Sequence, residues 1–293
     1  MMINTQLWTA LITPMKQSGD IHLGDLEKLI KRQESAGNGI LLIGSTGEGL
    51  ALNNDEKKEI IDFSSKLDLS VPVMAGVGGF QIENQKAWIQ YCNDKVDAFL
   101  LVAPLYSKPG PVGLKNWFLD LMDVAEKPCM IYNIPSRTGV EIPPQVIKEL
   151  SGHSKFWSIK EASGSIADYQ RFREMVPNST MFSGDDGLLP FFAVAGCSGL
   201  VSVSSNVWPE ETARYVELCL SGETDSLFPV WKRAINALFS APNPVPVKVL
   251  LHQKGIIESS ALRSPLTEKE LKNLDQLKQA DEEIINWYQK INN

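Results

Sequence analysis

The chain has 293 residues, 43% of them hydrophobic, and a formal net charge of −7. This length suits two average domains or one large α/β barrel, and the acidic balance without Lys/Arg-rich runs argues against a nucleic-acid partner. No apolar run approaches the ~20 residues of a membrane helix, and residues 1–6 do not form a charged-then-apolar leader. We therefore predict a cytoplasmic protein that does not associate with a membrane.

Short apolar runs alternate with amphipathic stretches, which is typical of repeated βα units. The predicted strands are residues 7–12, 39–43, 71–76, 98–103, 129–133, 156–160, 180–183 and 199–203. The predicted helices that follow them are residues 23–35, 55–66, 83–94, 113–125, 144–150, 166–175, 188–195 and 209–220. Eight units, without a Gly-x-Gly-x-x-Gly after the first strand, favour a (β/α)8 TIM barrel over an open doubly wound sheet. We place this barrel at residues 1–222.

Residues 223–293 break the alternation and predict a C-terminal helical appendage. Its helices are expected near residues 226–239, 247–254 and 268–291. Between the first two, the segment 242–246 (PNPVP) is too rich in proline for a helix and predicts a rigid extended turn.

Lys160 ends the sixth predicted strand, and the carboxyl ends of barrel strands surround the active site. An amine partly removed from water can have its pKa lowered to roughly 7–8, and the neutral amine can form a Schiff base with a carbonyl. The alternative is an exposed lysine that closes an ordinary strand. Glu161 should point to the opposite side of the strand, so we predict a structural role for it.

Hydroxyl groups follow other strands of the predicted barrel. The segment 44–49 (GSTGEG) offers Ser45 and Thr46. A ligand role is favoured over helix capping because Asn53 or Asn54 already sits where the next helix needs its cap, and Asn53 and Glu56 are spaced like a capping box. Tyr106 follows the fourth predicted strand, and Tyr132 lies at the end of the fifth. They are either packing residues or, with Ser45 or Thr46, a proton relay around Lys160.

Arg137 lies between Pro135 and Gly139, so it should project from a tight turn. Its planar fork suits a carboxylate, although a surface salt bridge is the alternative.

Metal and disulfide sites find little support in the sequence. His22, His153 and His252 are isolated, and Asp185-Asp186 lacks a carboxylate cluster at the other strand ends. The widely spaced cysteines, without a Cys-x-x-Cys pair, predict reduced thiols. They are Cys92, Cys129, Cys197 and Cys219.

Together these motifs resemble the dihydrodipicolinate synthase (4-hydroxy-tetrahydrodipicolinate synthase) family of the N-acetylneuraminate lyase superfamily. The resemblance covers essentially the whole chain. It rests on the segments 44–48 (GSTGE), 132–139 (YNIPSRTG), 159–162 (IKEA), 183–186 (SGDD) and 242–248 (PNPVPVK).

The resemblance implies a lyase that condenses pyruvate with aspartate semialdehyde in diaminopimelate and lysine biosynthesis, without a metal or organic cofactor. By this resemblance, Lys160 forms the Schiff base with pyruvate and Tyr132 is the proton donor and acceptor. Ser45 completes the relay with Tyr106, which a neighbouring subunit supplies. The resemblance also implies that Thr46 binds the pyruvate carboxylate and that Arg137 binds the semialdehyde carboxylate. Gly184 and Val201 are implied to line the pyruvate side of the site. The family is commonly a homotetramer of tight dimers, so we expect a homotetramer or a homodimer.

Two alternatives are left open by the sequence. One is another pyruvate-dependent class I aldolase, such as an N-acetylneuraminate or 2-keto-3-deoxy sugar-acid lyase, which Arg137 disfavours because a polyol tail needs hydroxyl-rich contacts. The other is a non-catalytic barrel that binds a keto acid or a partner protein.

The chain departs from the family pattern at two places. Ser45 stands where threonine is common, which keeps the hydroxyl but loses a methyl contact. The positions that bind lysine in feedback-inhibited members hold Gly49, Leu50, Asn54, Lys57, Phe80, Asn84 and Leu105. Because Lys57 would repel a cationic ligand, we predict that free lysine does not inhibit.

Overall fold

The computed structural model describes residues 3–292. Met1, Met2 and Asn293, which belong to the ends of the two predicted regions, lie outside the described residues. The strands are β1 (Leu7–Ala10), β2 (Gly39–Leu42), β3 (Val73–Val77), β4 (Ala98–Val102), β5 (Cys129–Asn133), β6 (Phe156–Glu161), β7 (Thr180–Ser183) and β8 (Gly199–Ser202).

Helices follow the strands and then form the C-terminal region. They are α1 (Leu23–Ser35), α2 (Asn54–Ser64), α3 (Ile82–Cys92), α4 (Pro111–Asp123), α5 (Pro135–Thr138), α6 (Pro144–Leu150), α7 (Ile166–Met175), α8 (Leu189–Val194), α9 (Pro209–Ser221), α10 (Val230–Leu238), α11 (Val245–Gln253) and α12 (Leu274–Ile291). Short 3-10 turns lie at Asp186–Leu188, Ser204–Asn206 and Glu268–Glu270. Within residues 3–292, no helix is both long and apolar enough to span a bilayer.

The eight strands close into a parallel barrel in chain order, which confirms the predicted (β/α)8 TIM barrel. β1 completes the ring by pairing with β8, where Leu7 lies opposite Leu200. Because successive side chains on a strand face opposite sides, one set fills the barrel interior and the other packs against the helices. The interior set includes Trp8, Leu41, Met74, Leu100, Met130, Tyr132, Phe182 and Val201.

Six predicted strands differ from the structure at their carboxyl ends: β1 by two residues, and β2, β3, β4, β6 and β8 by one residue each. β1 ends at Ala10 rather than residue 12, because the Ile12 amide donates to the Asn206 side chain (2.9 Å) instead of continuing the ladder. β2 ends at Leu42, since Ile43 has a left-handed φ of 59° that strand geometry does not allow.

The capping box predicted for the second helix is confirmed. The Asn53 side chain accepts from the Glu56 amide (3.0 Å), and the Glu56 carboxylate accepts from the Asn53 amide (2.8 Å).

The proline-rich turn is only partly as predicted. Residues 242–244 precede α11, but Val245 and Pro246 already form its first turn. Proline is tolerated there because the first amides of a helix have no partner inside the helix.

The last predicted helix is wrong over its first residues. Residues 268–270 form a separate 3-10 turn, and α12 begins at Leu274 after Asn273 accepts a hydrogen bond from the Gln276 amide. The apolar face of α12 includes Ile284 and Trp287 and joins the main core. The division at residue 222, where Gly222 ends α9 in the left-handed conformation, stays a prediction.

Candidate active site

Lys160 lies on β6 directly opposite Tyr132 on β5, so both side chains face the inside of the barrel. Lys160 is only 5% exposed, and its Nζ lies 4.1 Å from the centroid of the Tyr132 ring. Burial lowers the pKa of the Lys160 amine to about 7; the negative charge of Asp186 opposes this shift, and the positive charge of Arg137 adds to it. An amine with this pKa is substantially neutral near pH 7 and can act as a nucleophile.

Tyr132 is buried at the same level of the barrel. Burial raises the pKa of its phenol to about 12, although Arg137 and a hydrogen bond with Ser45 pull it back. The phenol is therefore protonated around neutral pH, and Tyr132 lines the same cavities as Lys160 and Ser45. This arrangement can hand a proton to a group bound at Lys160 and recover it.

Gly184, just after β7, packs directly against Lys160. A Cβ atom at this position would lie 2.7 Å from Ala162 Cβ and 2.8 Å from Lys160 Cε, closer than carbon atoms approach each other. The absence of a side chain at residue 184 is thus a requirement for the position of the Lys160 stem. Val201, buried on β8, is part of the same interior cluster as Tyr132.

The segment 44–49 after β2 supplies the hydroxyl groups of the site. Ser45 is exposed to the barrel mouth, whereas Thr46 is buried and its Oγ1 accepts a hydrogen bond from Asn243 Nδ2 (2.9 Å). Thr13 holds the loop from the other side, since its hydroxyl donates to the Gly47 carbonyl (2.7 Å).

Asn243 was not singled out by the sequence reasoning. It is buried, it lines the same cavity as Lys160, and it fixes the hydroxyl of Thr46 across 197 residues of chain. A polar residue held between two prolines was the available signal, because such a rigid segment presents a side chain in a fixed direction.

Arg137 is exposed on the one-turn helix α5, which Gly139 ends at a left-handed φ of 74°. The predicted tight turn is therefore a single helical turn.

Arg137 and Lys160 line two adjoining cavities of about 1040 and 930 Å³, so the guanidinium stands at the mouth through which a ligand reaches the amine. We name them the α2-side cavity, which extends to Asn54 and Lys57, and the C-terminal-side cavity, which extends to Trp231 and Asn243.

Tyr106 lies at the rim of the α2-side cavity rather than beside Lys160. It is 93% exposed and has a left-handed φ of 68°. A left-handed φ is uncommon for a residue other than glycine, so the surrounding structure must hold Tyr106 in this exposed position.

Glu161 and Asp186 are buried carboxylates with different surroundings. Glu161 accepts hydrogen bonds from Asn133 Nδ2 (2.7 Å) and the Ser163 amide (2.6 Å), behind the strand that carries Lys160, and burial raises its pKa. Asp186 accepts from the hydroxyls of Ser202 and Ser204, both at 2.5 Å. Among residues 3–292, no three His, Cys, Asp or Glu side chains are grouped so that they could hold a metal ion.

Most of the positions that the family resemblance associates with lysine binding line the α2-side cavity. Its lining includes Gly49, Leu50, Asn54, Lys57, Asn84 and Leu105. Phe80 does not line it and is 74% exposed. Burial lowers the pKa of Lys57, which contributes the positive charge at this end of the cavity.

The fold and the site together define a (β/α)8 barrel with a desolvated lysine nucleophile at its mouth. Residues 4–284 match the model of the dihydrodipicolinate synthetase family. A 4-hydroxy-tetrahydrodipicolinate synthase from Francisella philomiragia is 47% identical over 293 residues, covering 99% of each chain. The chain belongs to the dihydrodipicolinate synthetase family.

Solved structures agree with this assignment. The 4-hydroxy-tetrahydrodipicolinate synthase of the methanotroph Methylacidiphilum fumariolicum SolV superposes with a TM-score of 0.90 at 31% identity, covering 98% of each chain. The dihydrodipicolinate synthase of Cyanidioschyzon merolae, solved with lysine bound, gives a TM-score of 0.89 at 28% identity, covering 97% of this chain and 99% of the other.

Proposed function

We propose that this chain is a 4-hydroxy-tetrahydrodipicolinate synthase, a lyase that joins pyruvate to aspartate semialdehyde through a Schiff base on Lys160. The observation that carries the proposal is the buried amine of Lys160, with its pKa lowered to about 7, 4.1 Å from the Tyr132 ring. The names of the curated relatives support this activity rather than that of a sugar-acid lyase.

The first stage attaches pyruvate to the enzyme. The neutral amine attacks the keto carbon, the carbinolamine loses water, and the resulting iminium loses a methyl proton to become an enamine. Tyr132 can supply the proton that leaves with water and later accept one, because burial keeps its phenol protonated at rest. Ser45 links that phenol to solvent at the mouth.

The second stage joins the two substrates. The enamine carbon attacks the aldehyde, whose oxygen takes up a proton, and the amino group of the semialdehyde then attacks the iminium carbon. Ring closure expels the Lys160 amine and regenerates the free enzyme. This sequence consumes no oxidant or reductant.

Two groups are placed to bind carboxylates. Thr46, oriented by Asn243, is the proposed partner of the pyruvate carboxylate, and Gly184 and Val201 enclose the pyruvate methyl side. Arg137 at the mouth is the proposed partner of the semialdehyde carboxylate, since its fork can donate two parallel hydrogen bonds.

We further propose that the working unit is at least a dimer, in which the exposed Tyr106 enters the relay of the partner subunit. Leu50 and Phe80, 62% and 74% exposed, add apolar surface that such an interface would cover. The choice between homodimer and homotetramer, and the cytoplasmic location, stay predictions.

Trapping with borohydride tests the function. The protein is incubated with pyruvate and borohydride, with and without aspartate semialdehyde, and the modified peptide is mapped by mass. We expect a reduced pyruvate adduct on Lys160 that semialdehyde diminishes. An adduct that semialdehyde leaves untouched would favour another pyruvate aldolase, and the absence of an adduct would refute the Schiff-base mechanism.

A further inference from the structure

A fully buried ion pair joins the segment 44–49 to the C-terminal helices. Glu48 Oε1 and Lys248 Nζ lie 2.5 Å apart, and their side chains are 1% and 0% exposed. Glu48 follows β2, two residues after Thr46, whereas Lys248 lies on α11. Neither residue is among those to which the mechanism above assigns a role.

Each member of the pair makes one further hydrogen bond to the same short stretch of main chain. The second oxygen of Glu48 accepts from the Arg263 amide (2.7 Å), and Lys248 Nζ donates to the Ala261 carbonyl (2.8 Å). Residues 261–263 thus hold both charged groups, which fixes the position of the Glu48 carboxylate relative to α11.

The backbone of Glu48 connects the fixed position of its carboxylate to the active-site turn. Glu48 has a left-handed φ of 55°, and its amide donates to the Ser45 carbonyl (3.1 Å), so the residue closes the turn that carries Ser45 and Thr46. A non-glycine residue keeps such a conformation only when the surrounding structure holds it. The Asn243–Thr46 hydrogen bond is a second connection from the same C-terminal segment to the same turn.

Stability alone is a weak reason to bury such a pair. Removing two charges from water costs free energy that their attraction often fails to recover, and apolar replacements of similar size are often neutral or stabilising. Here the pair joins a strained turn to the rest of the protein at one defined point, which an apolar contact would do less specifically.

We propose that Glu48 and Lys248 are positioning residues that set the geometry of Ser45 and Thr46 in the pyruvate site. The C-terminal region then contributes to catalysis through the buried pair as well as through Asn243. This inference rests on the proposed roles of Ser45 and Thr46.

The test is a double variant, Glu48→Gln with Lys248→Met, which keeps the side-chain sizes and removes both charges together. We expect it to fold with a Tm close to that of the unmodified protein, while kcat/KM for pyruvate falls at least tenfold, through a higher KM from the displaced Thr46 and a lower kcat from the displaced Ser45. The pair Arg214–Glu217 on α9, in which Glu217 is exposed, provides the control, because Glu217→Gln should change neither quantity.

The outcomes separate this inference from the proposed function. A folded double variant with unchanged kcat/KM would overturn the positioning role, and so would a double variant that cannot fold, because the pair would then be a folding requirement. A crystal structure of the folded variant should show Ser45 displaced from Tyr132, a result that does not depend on the substrate. Failure of the unmodified protein to form an adduct on Lys160 would instead overturn the proposed function.

Discussion

The reactivity of Lys160 is obtained at the expense of stability. With a pKa of about 7 in the folded protein and an ordinary value of 10.5, the amine binds fewer protons in the folded than in the unfolded chain between those pH values. Stability therefore rises with pH through this window, and the destabilising effect is complete below pH 7. Its upper bound is about 5 kcal/mol, at 1.36 kcal/mol per pKa unit.

Lys160→Met should accordingly increase the free energy of unfolding at pH 7, by less than that bound, while abolishing adduct formation. The gain should shrink as the pH approaches 10, because the unfolded amine then also loses its proton. Urea unfolding of both proteins at several pH values measures this difference. A gain that does not change with pH would contradict burial as the cause of the lowered pKa.

Tyr132→Phe removes the proposed proton donor while keeping the ring that packs against Lys160. We expect kcat to fall by about 100-fold, which is the lower end of general acid–base contributions, with little change in Tm. Tyr91→Phe is the control, since that hydroxyl bonds Asp62 on the outer helices and its loss should leave kcat unaltered. An unchanged kcat for Tyr132→Phe would remove this residue from the relay.

Gly184→Ala places a methyl group where Ala162 and Lys160 leave no room. The Lys160 stem should be displaced, and the rate of borohydride-trapped adduct formation should drop at least tenfold, with a stability loss of about 1–3 kcal/mol from overpacking. Gly152→Ala, which meets no atom within 4 Å, controls for the added methyl group. Adduct formation at the normal rate in Gly184→Ala would show that the position of the stem is not critical.

At the scale of the elements, α2 and α3 decide what the α2-side cavity can bind. Lys57 on α2 brings a half-buried positive charge, and Asn84 on α3 brings no negative one. Because a cationic ligand would lose hydration and meet a like charge there, sub-millimolar free lysine should leave the initial rate unchanged.

Initial rates with and without added lysine test this prediction. Lys57→Gln should increase the affinity for lysine measured by calorimetry, whereas Lys58→Gln, at the neighbouring exposed position, should not. Inhibition of the unmodified protein by sub-millimolar lysine would refute the interpretation of this cavity.

The secondary-structure elements also show which parts of the fold local sequence patterns predict. The alternation of apolar runs identified every strand of the barrel, because a parallel strand buried on both faces is apolar throughout. The ends of β1 and β2 were misplaced, since they depend on Asn206, which is distant in sequence, and on the strained turn after Ile43. Pro246 was misjudged because proline disrupts the middle of a helix but not its first turn.

At the scale of the whole molecule, the 93% exposure of Tyr106 supports the proposal that a partner subunit completes the site. If a partner subunit supplies this residue, Tyr106→Phe and Lys160→Met chains expressed together should complement each other. Random mixing into dimers gives roughly a quarter of the full activity, from the hybrids that hold one complete site. Activity no greater than the average of the two single variants would contradict sharing across the interface.

The sequence by itself determined the eightfold βα repeat, the position of Lys160 at the end of a strand, and the family motifs around it. These features can be predicted locally, because hydrophobic periodicity and the residue types at a strand end depend only on residues that are neighbours in the sequence. Closure of the barrel decided the rest. It removed Lys160 from water, brought Tyr132 under the amine, and joined Glu48 to Lys248 and Thr46 to Asn243. The burial of Lys160 and the buried pairs depend on contacts between residues that are distant in sequence. Only the tertiary structure could therefore show them.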